Sequence, residues 1–85
     1  GEEFTIILPD TDAENAALVA GQVLAAVAGL KEPHALSEHG VVTVSIGHAT
    51  TVPTGSVPPE SLVQAADAAL YRAKSSGRNC VMCQE

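Results

Sequence analysis

Two adjacent carboxylates, Glu2 and Glu3, stand beside Gly1 at the head of an apolar stretch. Mg²⁺ prefers oxygen ligands in proteins, so a carboxylate pair near a turn predicts a Mg²⁺ site. A glycine beside the pair would let the backbone approach a substrate closely. Neighbouring residues on a strand face opposite ways, however, so the two carboxylates need not share one ligand. The alternative interpretation is an acidic, exposed chain end.

Basic residues are concentrated in one short stretch. Arg72, Lys74 and Arg78 lie close together, and only Lys31 lies elsewhere. A Lys and an Arg four positions apart at the end of a helix can bind phosphate oxygens, the Arg in a bidentate manner. The same two cations would also complement the negative end of a helix dipole. The basic stretch taken by itself leaves both roles open.

Cysteine and histidine spacing gives little indication of a metal or redox centre. Cys80 and Cys83 form a CxxC pair, but no second pair exists, and a zinc site needs about four ligands. The pair falls in a predicted strand, where positions three apart face opposite ways, which favours two ordinary reduced thiols. His34, His39 and His48 lack helical ligand spacing and are predicted to lie in loops.

The first half of the chain predicts a strand followed by a helix. Residues 4–8 are aromatic, β-branched or aliphatic, and Pro9 follows them, which is typical of a strand. Thr11 and Glu14 fit a capping box at the start of a helix that ends near Gly29. Its apolar residues recur at helical spacing: Leu18, Val19, Val23, Val27 and Leu30.

The second half predicts a strand, a helix and a short closing strand. Residues 41–46 alternate as a strand does, and Gly47 after them indicates a bulge or a close approach of backbone. A proline-rich loop leads to a helix that begins at Pro59 and ends before Gly77. Its predicted buried stripe is Leu62, Ala66, Ala69, Leu70 and Ala73, with Asp67, Tyr71, Lys74 and Arg78 on the other face. Residues 80–82 then form a strand.

These elements follow one another as β-α-β-α-β, the order of an α+β sheet with packed helices. A chain of 85 residues is one domain or part of one. The net charge of −6 argues against a nucleic-acid partner, because phosphate backbones attract basic proteins. No apolar run is long enough to cross a membrane. The start at Gly1 without a Met suggests a fragment of a longer protein.

Three segments together resemble one known family. They are GEEF at residues 1–4, TVSIG at 43–47 and ADAALYRAKSSGRN at 66–79, and their order and spacing are similar to those of the GGDEF domain of bacterial diguanylate cyclases. The resemblance covers residues 1–85, which correspond to the C-terminal half of that domain and begin inside its signature motif. It implies a fold like the palm of nucleotide cyclases, with a mainly antiparallel sheet.

The resemblance also implies an activity. Two GGDEF domains meet as a homodimer, each holding one GTP, and join the nucleotides into cyclic di-GMP with release of pyrophosphate. Mg²⁺ or Mn²⁺ bridges the phosphates and the protein carboxylates. Such a catalytic domain is cytoplasmic, is controlled by an upstream sensory or regulatory domain, and can belong to a parent protein anchored in a membrane.

Roles for individual residues follow from the resemblance. Gly1 matches a turn glycine close to the nucleotide. Glu2 matches a metal ligand, and Glu3 matches a carboxylate that binds metal or activates the attacking hydroxyl. Lys74 and Arg78 match the pair that contacts phosphate.

The remaining matched positions are expected to be structural. Phe4 corresponds to the signature aromatic and is expected in the core, whereas Asp67 and Asn79 are expected to form helix-face and turn hydrogen bonds. The first metal-binding Asp, the residues that recognise guanine and the product-inhibition site of the family would all precede Gly1.

Three hypotheses about the parent protein remain open. It is an active diguanylate cyclase, a nucleotidyltransferase whose visible catalytic positions are all filled by competent residues. Alternatively, it is a catalytically silent GGDEF domain that binds GTP as a regulatory module, or the chain is a bare fragment trimmed by proteolysis. The 85 residues alone are expected to be inactive and to associate through an exposed sheet edge.

Overall fold

The structure, a computed structural model, describes residues 3–34 and 40–84. Within them the chain forms helix α1 (Ala13–Gly29), strand β1 (Ile46–His48), helix α2 (Pro59–Ser75) and strand β2 (Val81–Cys83). The described part is thus α+β, as predicted, but it has two strands rather than three. Neither α1 nor α2 is both long and apolar enough to cross a lipid bilayer.

Helix α1 begins one residue later than the capping box predicts. Asp12 is the N-cap, with extended backbone, and its carboxylate accepts a hydrogen bond of 2.8 Å from the backbone N–H of Asn15. The Thr11 hydroxyl instead donates to the carbonyl of Pro9 at 2.9 Å. Asp is at least as good an N-cap as Thr, so the carboxylate one position on provides an equally good start. The predicted end at Gly29 is confirmed.

The buried side of α1 includes three of the five residues whose spacing predicts the helix, since Val19, Val23 and Val27 are half-buried. Its buried residues are Ala16 and Ala20, whereas Leu18 is 63% exposed. Leu30, just beyond the helix, is also exposed. Apolar residues also lie on the exposed side of this helix, so the spacing indicates the buried face only in part.

The predicted strand at residues 4–8 is not formed. These residues belong to no helix or strand, and Phe4, Ile6 and Ile7 are all more than half exposed. Phe4, expected in the core, is 84% exposed. A strand forms only where its backbone groups find a neighbouring ladder, and the described residues provide none for this segment.

The two observed strands are parallel, which corrects the prediction of a mainly antiparallel sheet for this part of the chain. Ile46 pairs with Val81, and His48 pairs with Cys83. The strand predicted at residues 41–46 therefore shares only Ile46 with the observed β1, because the backbone pairs only where it lies opposite β2. Val41 forms just an isolated antiparallel bridge with Pro33. His48, predicted in a loop, lies in β1.

Helix α2 connects these parallel strands, as a crossover must. It begins at Pro59, as predicted, where a missing N–H removes no helical hydrogen bond. Its predicted buried stripe is confirmed at Ala69 and Ala73, which are completely buried. Both helices contact both strands, so the small core lies where α1 and α2 meet the sheet.

Candidate functional site

Two residues that the sequence predicts to do chemistry meet in the structure. The Nζ atom of Lys74 lies 3.1 Å from Oε2 of Glu3 and donates a hydrogen bond to it. The two residues are 71 positions apart in the sequence. Their side chains are 36% and 64% exposed respectively, so the ion pair lies at the surface, where a ligand could reach it.

Lys74 is positioned by the docking of α2 on the sheet. Gly47 in β1 lies directly against the helix, since a Cβ atom at this residue would fall 2.7 Å from the carbonyl carbon of Ala69. The same Cβ would overlap the backbone N of Leu70 and the carbonyl oxygen of Ala66. This is the close approach that the sequence predicts at Gly47. Because Gly47 has no side chain, the backbone of α2 can lie directly against the strand.

A second contact holds the C-terminal part of α2 to the sheet. The Arg72 guanidinium donates a hydrogen bond to the backbone carbonyl of Cys83, at the end of β2. Ala73, the next residue along, is completely buried. Lys74 therefore follows two residues that are held against the sheet, Arg72 and Ala73. Its backbone has little freedom relative to the strands.

The turn after α2 places Arg78. Gly77 has φ +106°, and the N–H of Arg78 donates to the carbonyl of Ala73 at 3.0 Å. This is the six-to-one hydrogen bond of a Schellman motif, which confirms Gly77 as the helix stop. Arg78 and Asn79 also have positive φ, +63° and +48°. The tight reversal leaves the Arg78 side chain exposed.

Other predicted site residues fall differently. Gly1 and Glu2 lie outside the described residues, so the structure tests neither of their roles. Within the described ranges, Arg78 forms no ion pair with Glu3. Asp67 is exposed on the outer face of α2, and Asn79 lies in the turn that follows the helix.

The predicted metal site can be tested only through Glu3. A carboxylate oxygen suits Mg²⁺ or Mn²⁺, and that of Glu3 is accessible, so the residue fits as one ligand. Residues 3–34 and 40–84 contain no group of three or more His, Cys, Asp or Glu side chains that could hold a metal ion. Further ligands would have to come from Glu2, from phosphate oxygens or from protein beyond the described residues.

The two cysteines are free thiols, as predicted. The Sγ of Cys80 donates to the carbonyl of Ala73 at 3.4 Å, whereas Cys83 is exposed. The Nδ1 atom of His48 is buried and has no hydrogen-bond partner among the described residues. Among the described residues, the CxxC pair, His34 and His48 belong to no group of three or more side chains that could hold a metal ion, and His39 lies outside those residues.

The direct contact between Glu3 and Lys74 is not indicated by the spacing of residues within either motif. Only the opposite charges of the two motifs, GEEF and the basic stretch, could have indicated it. An open depression beside α2 was also not indicated by the sequence; it is lined by Ala65, Ala68, Tyr71, Arg72 and Gln84.

Comparison with known proteins identifies the family. A family model described as "Diguanylate cyclase, GGDEF domain" matches residues 1–80. That range includes both halves of the ion pair and nearly the whole described chain. The chain belongs to the GGDEF domain family, as the three sequence segments indicate.

Curated relatives agree with the family match. The chain is 41% identical over 86 residues to the response regulator PleD of Caulobacter vibrioides, covering 96% of the chain and 18% of PleD. It is 35% identical over 85 residues to the uncharacterized protein YhcK of Bacillus subtilis, covering 100% of the chain and 23% of YhcK. It is 34% identical over 88 residues to the probable diguanylate cyclase DgcT of Escherichia coli, covering 100% of the chain and 19% of DgcT.

The relatives are much longer proteins than the chain. The chain spans only 18% to 23% of their length, and one of them is named as a response regulator. No solved structure matches the chain.

Proposed function

We propose that the chain is the C-terminal part of the GGDEF domain of a diguanylate cyclase, and that Glu3 and Lys74 belong to its nucleotide site. The observation that supports this is the 3.1 Å contact between Glu3 and Lys74. Two motifs with separate predicted roles, cation binding and phosphate binding, meet at one surface position although 71 residues separate them. A site for a nucleoside triphosphate and its cation needs a cation-binding group close to a phosphate-binding group.

The reaction joins two GTP molecules. The 3′-hydroxyl oxygen of each GTP forms a bond to the α-phosphorus of the other, and the bond between that α-phosphorus and the bridging oxygen to the β-phosphate breaks. Two phosphodiester bonds form, two pyrophosphates leave, and each attacking hydroxyl loses its proton. Each domain would hold one GTP, which requires two domains to face each other as a homodimer.

The residues of the chain would contribute charge and position. Lys74 is held on an anchored helix turn, where its ammonium can bind phosphate oxygens, and the exposed guanidinium of Arg78 follows in the adjoining turn. Glu3, with Glu2, would hold the divalent cation or accept the proton of the attacking hydroxyl. Mg²⁺ or Mn²⁺, when bound, would neutralise phosphate charge and acidify the hydroxyl.

The parent protein would carry its regulation upstream. The similarity to PleD, which is named a response regulator, supports a parent in which a regulatory domain controls the GGDEF domain. We place this domain in the cytoplasm, where GTP is available.

The test uses the parent protein, since guanine recognition and further cation ligands are assigned to residues before Gly1. The purified parent is incubated with GTP and Mg²⁺, and cyclic di-GMP and pyrophosphate are quantified. Two pyrophosphates per cyclic di-GMP, with product lost in the Glu3→Ala variant, would support the cyclase. GTP binding without product would reject it in favour of a silent GTP-binding module, and neither binding nor product would reject both.

A further inference from the structure

The proposed function gives Glu3 and Lys74 different ligands. The Glu3 carboxylate would bind a divalent cation, and the Lys74 ammonium would bind a phosphate. In the structure the two groups bind each other instead, through Lys74 Nζ and Glu3 Oε2 at 3.1 Å. A carboxylate oxygen that already accepts from an ammonium group is a poorer cation ligand, because one of its lone pairs is engaged and the ammonium charge repels an incoming cation.

We propose that Lys74 occupies the cation-binding carboxylate of Glu3 in the nucleotide-free protein and that the phosphates of a bound nucleotide draw it away. Cation binding and nucleotide binding would then be coupled through this ion pair. The inference rests on the proposed function, because it takes Glu3 as a cation ligand and Lys74 as a phosphate ligand. It adds a regulatory property to that site, namely that the site binds a cation more weakly when no nucleotide is bound.

The surroundings of the ion pair allow such an exchange. The backbone of Lys74 is anchored, because Ala73 beside it is completely buried and Arg72 is bonded to the end of β2. Its side chain is 36% exposed and ends in a flexible four-carbon stem, so the ammonium can move while the helix stays in place. Glu3 is 64% exposed and lies on irregular backbone, so no packing holds its carboxylate against the lysine.

The strength of the pair also suits an exchange. Ion pairs between exposed side chains are weak, and losing one changes an equilibrium by about twofold to fivefold. A triphosphate carries several negative charges and can therefore compete with a single carboxylate for the ammonium. By linkage, a nucleotide that frees Glu3 for the cation must itself bind more tightly when the cation is present.

A purely structural ion pair would behave differently. If Lys74 only held the segment of Glu3 against α2, removing its charge would loosen that segment and leave cation affinity unchanged or lower. If Lys74 competes with the cation, removing its charge raises the cation affinity of the nucleotide-free protein. The sign of the change separates the two roles.

The experiment measures Mn²⁺ binding to the full-length parent protein without nucleotide, from the electron paramagnetic resonance signal of the free ion. The variants are Lys74→Met, which removes the charge and keeps the length, and Lys74→Arg, which keeps the charge. Lys31→Met is the matched control, since Lys31 is exposed and lies outside the site. Glu3→Gln, alone and with Lys74→Met, identifies the binding that depends on Glu3.

We expect Lys74→Met to bind Mn²⁺ about twofold to fivefold more tightly than wild type at low ionic strength. Lys74→Arg and Lys31→Met should resemble wild type, and Lys74→Met should have no effect in the Glu3→Gln background. A non-hydrolysable GTP analogue should tighten Mn²⁺ binding less in Lys74→Met than in wild type. Equal or weaker Mn²⁺ binding by Lys74→Met would overturn the inference, as would the absence of any Glu3-dependent binding.

Measuring cyclic di-GMP formation on the same preparation separates this inference from the proposed function. A parent that forms no cyclic di-GMP, but whose Lys74→Met variant binds Mn²⁺ more tightly, would uphold the competition and reject the cyclase. A parent that forms cyclic di-GMP while Lys74→Met leaves Mn²⁺ affinity unchanged would uphold the cyclase and reject the competition.

Discussion

The Glu3 carboxylate forms an ion pair with Lys74, and its backbone belongs to no helix or strand. Its partner Lys74, by contrast, projects from an anchored helix turn. Exposed ion pairs contribute at most about 1 kcal/mol to stability, so substitutions at these two residues should change chemistry far more than folding. That difference makes both residues suitable for functional tests.

Glu3→Gln in the parent protein should lower cyclic di-GMP formation at least about 100-fold, because the neutral amide binds a cation weakly and cannot accept a proton. The free energy of unfolding should change by less than about 1 kcal/mol. Initial rates of pyrophosphate release measure the activity, and urea unfolding measures the stability. Glu32→Gln, which removes an exposed carboxylate from another segment, serves as the control, and retained activity in Glu3→Gln would contradict the assigned role.

Lys74→Met should mainly weaken nucleotide binding. Hydrogen bonds to charged groups contribute about 1.5–3 kcal/mol, so the Kd for a GTP analogue and the KM for GTP should rise at least about tenfold. Isothermal titration calorimetry and steady-state kinetics measure the two constants. Lys31→Met should leave both unchanged, and an unchanged Kd in Lys74→Met would argue against phosphate binding by this lysine.

The elements position the site through the contact between β1 and α2. Gly47 allows the helix backbone to lie directly on the strand, and Ala69 and Ala73 complete a contact made only of small residues. Interiors are closely packed, so added atoms cannot be absorbed there without movement of the backbone. Because Lys74 follows Ala73 by one residue, a displaced helix would also displace the phosphate-binding side chain.

Gly47→Ala should therefore destabilise the protein by about 1–3 kcal/mol, which is typical of overpacking. The new Cβ would meet backbone atoms of α2, which cannot rotate away as a flexible side chain could. The urea midpoint measures the effect. Gly55→Ala is the matched control, since no atom lies within 4 Å of its added Cβ, and equal midpoints for the two variants would contradict the close approach.

Asp12→Ala should cost about 1 kcal/mol through loss of the N-cap of α1, where the carboxylate accepts from the N–H of Asn15. Thr11→Ala should cost less, because its hydroxyl bonds only to the carbonyl of Pro9 outside the helix. Thermal unfolding of the two variants compares them directly. A larger loss for Thr11→Ala would instead favour the capping box that the sequence predicts.

The chain exposes more surface than a compact protein of its size. Its accessible surface is 6280 Å², whereas a compact monomer of its mass, 8.6 kDa, is expected to expose about 4,700 Å². Within residues 3–34 and 40–84 the buried apolar residues are four alanines, and Phe4, Ile6 and Ile7 are exposed in one segment. So small a core, with so much apolar surface outside it, predicts marginal stability and association.

The 85-residue chain in isolation should self-associate through the segment that contains Ile6 and Ile7, which are 66% and 81% exposed. Ile7→Lys should shift the chain towards monomer, because charge on an unpaired apolar segment opposes edge pairing. Sedimentation velocity over a range of concentrations measures the change. Val52→Lys, at an equally exposed valine in a loop, is the control, and a monomeric wild-type chain at high concentration would contradict the prediction.

Local sequence signals predicted α2 and its boundaries well. Pro59 at its start and Gly77 after its end act through their own backbone geometry, which needs no distant partner. The spacing of Ala69 and Ala73 also identified the buried face of this helix, because polar residues cover its other side. In α1 the spacing marked the half-buried side at Val19, Val23 and Val27, but it also included Leu18 and Leu30, which are exposed.

Local patterns of residues were therefore enough to predict the two helices, the sharp turn at Gly77 and the family to which the chain belongs. They did not show that β1 and β2 are parallel, that Phe4 is exposed or that Glu3 meets Lys74, which became evident only from the folded chain. The two groups of features differ in the range of the interactions on which they depend. Helix caps and turns depend on groups a few residues apart, whereas strand pairing and an ion pair across 71 residues depend on how the whole chain packs.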